Sequence, residues 1–173
     1  TSVVGASFHE PLRDERDGWR AVMVLAEMGE AAGPAIPFLV EALRKEPMHR
    51  PFRAPPAAAF ALGRIGATAQ PALIDALEDP ALNVRAGAAL ALGLMGGSAT
   101  NAISSLALTL DDEAEMVRHA SAMSLISIGW NDRRLTPTLA EMLNADDDVV
   151  RFAAADSLKR IDPEMAWRLR DME

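Results

Sequence analysis

The sequence VRAGAALALGLMG, residues 84–96, recurs in modified form along the chain, and this repetition constrains the fold more than any other feature. The copies end at Gly29, Gly66, Gly96, Gly129 and Asp162, at intervals of 37, 30, 33 and 33 residues. A shorter apolar segment follows each copy. In both kinds of segment the apolar residues recur three and four positions apart, which is the spacing of one helix face. A period near 33 residues with two helices per unit is typical of a helical-repeat array.

This pattern predicts an N-terminal tail, residues 1–13, followed by a repeat domain, residues 14–173. The helices that carry the repeated phrase, called B helices below, are predicted near residues 14–28, 54–65, 82–95, 114–128 and 147–161. The helices between them, called A helices, are predicted near residues 34–45, 68–78, 99–110, 132–143 and 163–171. One helical pair has too much apolar surface to bury alone, so consecutive pairs must stack. The prediction is an all-α protein.

Within the phrase, small and large apolar residues are expected to play different parts. Alanines such as Ala88 and Ala89 allow helix axes to approach closely, whereas Leu92 is expected to fill the core between them. The counterparts of Leu92 in the other copies are Leu25, Leu62, Leu125 and Leu158. The glycine that ends each copy suits a left-handed helix cap, for which Asp162 is a poorer residue.

The phrases resemble the HEAT-like repeats of bacteria, particularly the subclass named for phycobilisome lyases. The spacing from Asp79 to Arg85, the alanine run, Leu92 and Gly96 all match this pattern. The next copy matches in the same register at Asp112, Val117, Arg118, Ala122, Leu125 and Gly129. The resemblance covers about five units, from residue 14 to the C-terminus. It implies an armadillo-like, right-handed α-solenoid, that is, an α-α superhelix of about five HEAT-like helical pairs.

The resemblance also implies a buried ladder of Asp and Arg side chains between successive units. The residues that match are Asp79, Arg85, Asp112, Arg118 and Arg151. In the earlier units Pro55 and Gly18 replace the arginine, and Ala145 replaces the third aspartate. The ladder is therefore predicted to be intact only in the centre of the array, and truncating Arg118 should destabilise the fold far more than truncating Arg133.

In such repeats the second helix of each pair is expected to line the concave side of the solenoid. Its solvent-facing positions recur four residues apart and are unusually apolar here. We call these residues the B-helix stripe; its apolar members are Trp19, Met23, Phe60, Leu90, Leu94, Met123 and Phe152. Its polar members are Arg64, His119, Asp156 and Arg160. Two interpretations remain open: the apolar members belong to the core, or they form a groove that binds a partner helix or peptide.

Composition limits the other classes of partner and of site. The net charge of −8 disfavours binding to the phosphates of nucleic acids in the absence of a basic stripe. No apolar run approaches the roughly 20 residues of a membrane-spanning helix, so no membrane span is predicted. The absence of cysteine excludes disulfides and thiolate sites, although it does not choose a compartment. A cytoplasmic location is predicted over export, and the initial Thr1 leaves open an excised domain or a processed chain.

Residues for catalysis or metal binding are sparse. The three histidines, His9, His49 and His119, are far apart in sequence. HEAT-like hydroxylases hold iron with repeated His–Glu pairs, and the single such pair here, His9–Glu10, lies outside the repeats. No metal and no cofactor is therefore predicted. The acidic clusters at 111–115 and 146–148 precede B helices, where carboxylates are expected to cap free N–H groups.

The predicted function is a noncatalytic scaffold that presents a concave, partly apolar surface to a partner protein or peptide. The alternative is a lyase-type or chaperone-like subunit that binds a tetrapyrrole or another apolar ligand in the same groove. At the C-terminal end, Trp167 and Leu169 have no following repeat to cover them. Self-association, or continuation of the array through that end, is therefore expected.

Overall fold

The computed structural model describes the backbone of residues 15–45, 56–128, 133 and 136–164, with side chains described from Arg20 onward. Every regular element in this part of the chain is helical. The B helices are α1 (Glu15–Met28), α3 (Ala57–Ile65), α5 (Leu82–Met95), α7 (Glu115–Ile128) and α9 (Asp148–Ile161). The A helices are α2 (Ile36–Lys45), α4 (Gln70–Ala76), α6 (Ile103–Leu108) and α8 (Thr136–Met142). Short 3₁₀ turns lead from α1, α3 and α5 into the helices that follow.

The helices stack as an α-solenoid with two layers. Each B helix packs on the next, from α1 to α3, α5, α7 and α9. The A helices cover this row, with α2 against α3 and α5, α4 against α5, α6 against α7 and α8 against α9. Because α5 has a B helix on either side and A helices above it, most of its surface is enclosed. Apart from Asn83 and Arg85, its residues are apolar or glycine all round, as expected for a helix without a broad solvent face.

The core lies between the layers and consists largely of alanine and leucine. In α5, Ala88, Ala89 and Leu92 are fully buried. The leucines at the position of Leu92 in α3, α7 and α9 are also fully buried, whereas Leu25 in α1 is half-buried and packs at the edge of the core. The leucines that the repeat pattern places in the interior thus form a continuous row through the middle of the array.

The glycines that end the second and third phrases adopt an unusual backbone conformation, whereas Gly129 lies outside the described residues. Gly66 has φ 77° and ψ −142°, and Gly96 has φ 57° and ψ −139°. The positive φ agrees with the predicted requirement for glycine, but ψ lies outside the left-handed helical region, so the predicted left-handed cap is wrong. This backbone region is accessible essentially to glycine alone. Asp162 ends α9 at φ −141°, so the last copy of the phrase closes with a different turn.

Gly93 marks a close approach of two B helices, α5 and α7. A Cβ atom there would lie 2.5 Å from Ser124 Oγ and 2.9 Å from Ser124 Cα on α7. The Ser124 hydroxyl in turn donates a hydrogen bond of 2.7 Å to the carbonyl of Ala89 on α5. Any side chain at position 93 must therefore push α7 away or break this hydrogen bond between helices.

We expect Gly93→Ala to lower the free energy of unfolding by about 1–3 kcal/mol, the usual range for overpacking. The matched control is Gly97→Ala, because a Cβ atom at position 97 meets nothing within 4 Å. That control should be neutral or stabilise the protein by up to about 1 kcal/mol through the unfolded state. Urea denaturation monitored by circular dichroism measures both. Equal effects of the two substitutions would contradict the close contact at Gly93.

Candidate functional site

Arg85 links two consecutive units through a bidentate ion pair. Its Nε donates to Asp112 Oδ2 at 2.7 Å, and its Nη2 donates to Asp112 Oδ1 at 2.8 Å. Its Nη1 donates to the carbonyl oxygens of Asp79 and Pro80 at 2.9 and 3.1 Å. The arginine is 8% exposed. It therefore holds the turn before its own helix and, at the same time, the carboxylate of the next unit.

Arg118 repeats this arrangement one unit further on. Its Nη1 donates to the carbonyl oxygen of Asp112 at 2.9 Å, and its Nη2 donates to Asp147 Oδ2 at 3.1 Å. The aspartates also accept hydrogen bonds from the start of their B helices. Asp112 Oδ1 accepts from the Ala114 N–H at 2.8 Å, and Asp147 Oδ1 accepts from the Val149 N–H at 2.9 Å. The acidic residues before α7 and α9 thus cap helices, as the sequence predicts, and also bind arginine.

The structure corrects the predicted ladder at both ends. Asp147, two residues after Ala145, supplies the third carboxylate of the ladder by accepting from Arg118. The prediction that the ladder lacks a third aspartate was therefore wrong. Asp79 is bound by Arg44 of α2, whose Nη1 and Nη2 donate to its two carboxylate oxygens at 3.1 and 2.9 Å. Arg151 donates to the carbonyl of Ala145 and pairs with Asp148 of its own helix. Ion pairs therefore continue beyond the centre of the array.

Burial and hydrogen bonding act in opposite directions on the ladder carboxylates. Burial raises the pKa of Asp112, but the hydrogen bonds from Arg85 and from the Ala114 N–H lower it by more, and the net pKa lies below its ordinary value. The pKa of Asp147 is also lowered, because hydrogen bonds from His119 and Val149 outweigh burial. Since these pKa values are lower in the folded state than in the unfolded state, ionisation of these groups stabilises the fold.

The free energy of unfolding should therefore be steady near neutral pH and fall below about pH 5, where an unfolded aspartate, with a pKa of about 3.9, begins to bind protons. The loss should continue as the pH drops through the lower pKa values of the folded state. Urea denaturation at a series of pH values measures this dependence. Asp112→Asn should be less stable at neutral pH and lose part of the acid dependence, whereas Asp75→Asn, on the exposed part of α4, should retain it. An unchanged slope for Asp112→Asn would contradict this assignment.

The apolar members of the B-helix stripe are neither wholly buried nor wholly exposed. Leu94, Met123 and Phe152 are 47%, 50% and 74% exposed. Phe60 and Leu90 are half-buried and pack against the core. Phe60 and Leu90 therefore contribute to the fold while presenting an apolar edge, Leu94 and Met123 are about half exposed, and Phe152 lies largely in solvent.

The remaining residues of the B-helix stripe also differ in their exposure to solvent. Met23 is half-buried and Arg64 is exposed, while the side chain of Trp19 lies outside the described residues. Asp156 and Arg160 form an ion pair within α9. The polar members therefore flank the apolar ones without covering them.

Some exposed apolar residues were not predicted. Phe38 of α2 is 50% exposed, Leu108 of α6 is 78% exposed and Val24 of α1 is 56% exposed. In the sequence Phe38 lies two positions after Ile36 and Leu108 two positions after Leu106, which places both off the apolar face of their A helices. Helical spacing could therefore have indicated their exposure. The apolar surface of the protein is thus not confined to the B-helix stripe.

His119 belongs to a cluster that sequence reasoning missed. Its Nε2 donates to Asp147 Oδ1 at 3.0 Å and lies 3.7 Å from Glu115 Oε1. One ligand atom from each of Glu115, His119 and Asp147 lies within 4.8 Å of the others. Glu115 and His119 are one helical turn apart, which the sequence could have indicated. Asp147 comes from the next unit and is 28 residues from His119, so only stacking brings it into the cluster.

The stacked helical pairs and the Asp–Arg contacts between them agree with a match to a family model described as HEAT repeats, at residues 49–126 and 103–169. Together these ranges cover well over half of the chain. The protein belongs to the HEAT repeat family. The resemblance predicted from the repeated phrase is therefore confirmed, as is the all-α solenoid fold.

Two solved structures show the same architecture as this HEAT repeat protein. One is the complex of CpcE and CpcF of phycocyanin lyase from Nostoc sp. PCC7120, with TM-score 0.56 and 23% identity over 98% of this chain and 73% of that chain. The other is a designed armadillo repeat protein in complex with the peptide (KR)4, with TM-score 0.50 and 18% identity over 90% of this chain and 80% of that one. At these identities the similarity concerns the fold. No functionally curated protein matches the chain.

Two stretches of this HEAT repeat protein, 20–45 and 82–111, are long and apolar enough to cross a membrane by length and composition. On that measure they contradict the prediction that no stretch is long enough. Each contains a glycine with positive φ, Gly29 at 55° and Gly96 at 57°, which interrupts the helix. The α5 part of the second stretch has 14 residues, a length of about 21 Å against the ~30 Å of a bilayer core. Each stretch thus comprises successive repeat helices rather than one straight helix.

Proposed function

We propose that this HEAT repeat protein is a noncatalytic scaffold that binds a partner protein or peptide along its B-helix stripe. The observation that carries the proposal is the recurrence of apolar side chains at one position of three consecutive B helices. Phe60, Leu90 and Met123 stand six residues before the phrase-ending glycines at 66, 96 and 129. The first two are half-buried and Met123 is 50% exposed. Equivalent positions on stacked helices form a row across the array.

The neighbouring positions extend this row into a surface suited to an amphipathic partner. Leu94 and Phe152, 47% and 74% exposed, lie one helical turn from the row on α5 and α9. Contiguous apolar surface on a protein commonly marks a binding site, and aromatic residues usually supply much of the binding energy. Arg64 and the Asp156–Arg160 pair flank the apolar residues and offer polar contacts at the rim. A helix or extended peptide with one apolar face has the required chemistry.

The structural neighbours are consistent with this proposal at the level of the fold. One is a designed armadillo repeat protein bound to a peptide, and the other is a complex of two proteins. The rigid stack of helices supplies a surface that changes little on binding, which reduces the entropic cost of association.

The most exposed stripe residues provide the sharpest test. Met123→Lys and Phe152→Lys place a charge on the proposed surface without entering the core. Each should weaken partner binding by at least about tenfold, the effect of losing an anchor worth ~1.4 kcal/mol or more. Leu108→Lys on α6 is the matched control, because Leu108 is 78% exposed and belongs to an A helix. Its binding should match the wild type.

A partner can be captured with a photo-crosslinking amino acid at position 123, and the crosslinked yield can be compared with and without Phe152→Lys or Leu108→Lys. Binding of the captured partner to Met123→Lys is then measured without the crosslinker. A protein that crosslinks to the wild type and to Leu108→Lys, but not to Phe152→Lys, supports the proposal. Equal loss with Leu108→Lys would overturn it. A change in tetrapyrrole absorbance on mixing with the purified protein, abolished by Phe152→Lys, would instead assign the surface to the alternative lyase-type or chaperone-like subunit.

A further inference from the structure

We propose that Glu115, His119 and Asp147 form a Zn²⁺ site that links the units of α7 and α9. Glu115 and His119 lie in the first turns of α7, and Asp147 immediately precedes α9. His119 Nε2 lies 3.0 Å from Asp147 Oδ1 and 3.7 Å from Glu115 Oε1. All three ligand atoms lie within 4.8 Å of one another. This inference does not depend on the proposed binding of a partner to the B-helix stripe.

The distances are close to those of a tetrahedral zinc site. Zn–N and Zn–O bonds of about 2.0–2.2 Å place ligand atoms roughly 3.3–3.6 Å apart. The two distances from His119 lie near this range, so the main adjustment is the approach of Glu115 to Asp147. Glu115 has its side chain 50% exposed and can make this movement through its rotamers. A water molecule would supply the fourth ligand.

The types of donor favour zinc over the hard cations. One imidazole nitrogen and two carboxylate oxygens suit Zn²⁺, whereas Ca²⁺ and Mg²⁺ take oxygen ligands, with six to eight for Ca²⁺ and octahedral geometry for Mg²⁺. The His119 and Asp147 side chains are 14% and 11% exposed, so their positions are fixed by packing. Two of the three ligands are thereby held in place before the metal arrives.

The surroundings of Asp147 orient it as a ligand. Arg118 Nη2 donates to Oδ2 at 3.1 Å, which leaves Oδ1 facing His119. The Val149 N–H donates to Oδ1 at 2.9 Å and fixes its direction. Ligating carboxylates in metalloproteins commonly carry such hydrogen bonds.

Zn²⁺ would replace the hydrogen bond between His119 and Asp147, so His119 Nε2 must give up its proton to Nδ1 or to solvent. The positive charge of Arg118, 3.1 Å from Asp147 Oδ2, repels Zn²⁺ and limits the affinity of the site for the metal.

Isothermal titration with Zn²⁺ alone tests the site in the full chain. The reference protein carries His9→Ala and His49→Ala, so that His119 is its one histidine. We expect one-to-one binding to this reference. His119→Gln, which retains a donor for Asp147, should lower the affinity by more than about tenfold, since even the outer partners of zinc ligands contribute 10–100-fold. Co²⁺ should give the visible absorption bands of a tetrahedral site.

The two exposed glutamates before and within α7 provide a matched pair of variants. Glu115→Gln should weaken Zn²⁺ binding severalfold, whereas Glu113→Gln removes a carboxylate two residues earlier, 91% exposed, and should have no effect. Saturating Zn²⁺ should also raise the Tm of the reference protein and leave that of His119→Gln unchanged. No one-to-one binding to the reference, or equal affinities for the reference and His119→Gln, would overturn the site.

Discussion

Arg85→Ala is expected to lower the free energy of unfolding by about 3–5 kcal/mol, the range for breaking a buried ion pair by removing one partner. The arginine is 8% exposed and donates two hydrogen bonds to Asp112 and two to backbone carbonyls. Its removal leaves Asp112, itself 10% exposed, without a cation on the buried side. The substitution removes contacts in two units, since Arg85 binds both the turn before α5 and the aspartate that precedes α7. Urea denaturation of the purified variants measures the change.

Arg133→Ala is the control, because Arg133 is exposed. It should change the free energy of unfolding by less than about 0.5 kcal/mol. Arg118→Ala should fall between the two, since Arg118 is more exposed than Arg85 and binds Asp147 through one nitrogen. A double-mutant cycle with Asp112→Ala isolates the interaction itself. Similar destabilisation by Arg85→Ala and Arg133→Ala would show that the ladder does not stabilise the array.

Leu92→Ala is expected to lower the free energy of unfolding by about 2–5 kcal/mol. Leu92 is fully buried in the middle helix of the array, and many of its neighbours in sequence are alanines. Alanine has no side-chain rotamers with which to move into a void. The cavity should therefore persist, and the loss should lie in the upper half of the range. Denaturant unfolding and the Tm give independent measures.

Leu108→Ala is the matched control for Leu92→Ala, because it removes the same atoms from a side chain that is 78% exposed. It should change the free energy of unfolding by less than about 0.5 kcal/mol. A crystal structure of Leu92→Ala should show a cavity lined by α3, α5 and α7. A collapsed site with a loss below about 1 kcal/mol would mean that the helices can shift together, contrary to the tight packing inferred from Gly93.

The local pattern of the sequence was enough for the fold class and for the core leucines. Leu62, Leu92, Leu125 and Leu158 occupy one register of the repeat and are fully buried, whereas Leu25 at the same register of α1 is half-buried. Burial at this register follows from helical periodicity, which is a local property of the chain. The glycines at 66 and 96 were also identified locally, although their ψ values were not, since the turn into the next helix sets them.

The candidate site could be predicted only in part. The repeat register places Phe60, Leu90 and Met123 at one position of their helices, but their exposure depends on how closely neighbouring helices approach. Phe38 and Leu108 differ, because each lies two positions after a buried residue of its own helix, on the opposite face, and is exposed as helical spacing indicates. A periodic pattern shows which residues share a helix face, whereas the curvature and spacing of the stack decide how much of that face meets water.

The sequence by itself determined that this chain stacks helical pairs, because each pair carries an apolar face that water penalises and a neighbour can cover. Only the tertiary structure decided which polar groups meet between pairs. Arg85 reaches Asp112 across 27 residues, and Arg118 and His119 share Asp147 rather than a residue at position 145. The physical reason is that these contacts depend on the rise and rotation from one unit to the next. The carboxylate that binds Arg118 stands at position 147, two residues later than the repeat pattern places it, and the spacing of the repeated phrase does not show this shift.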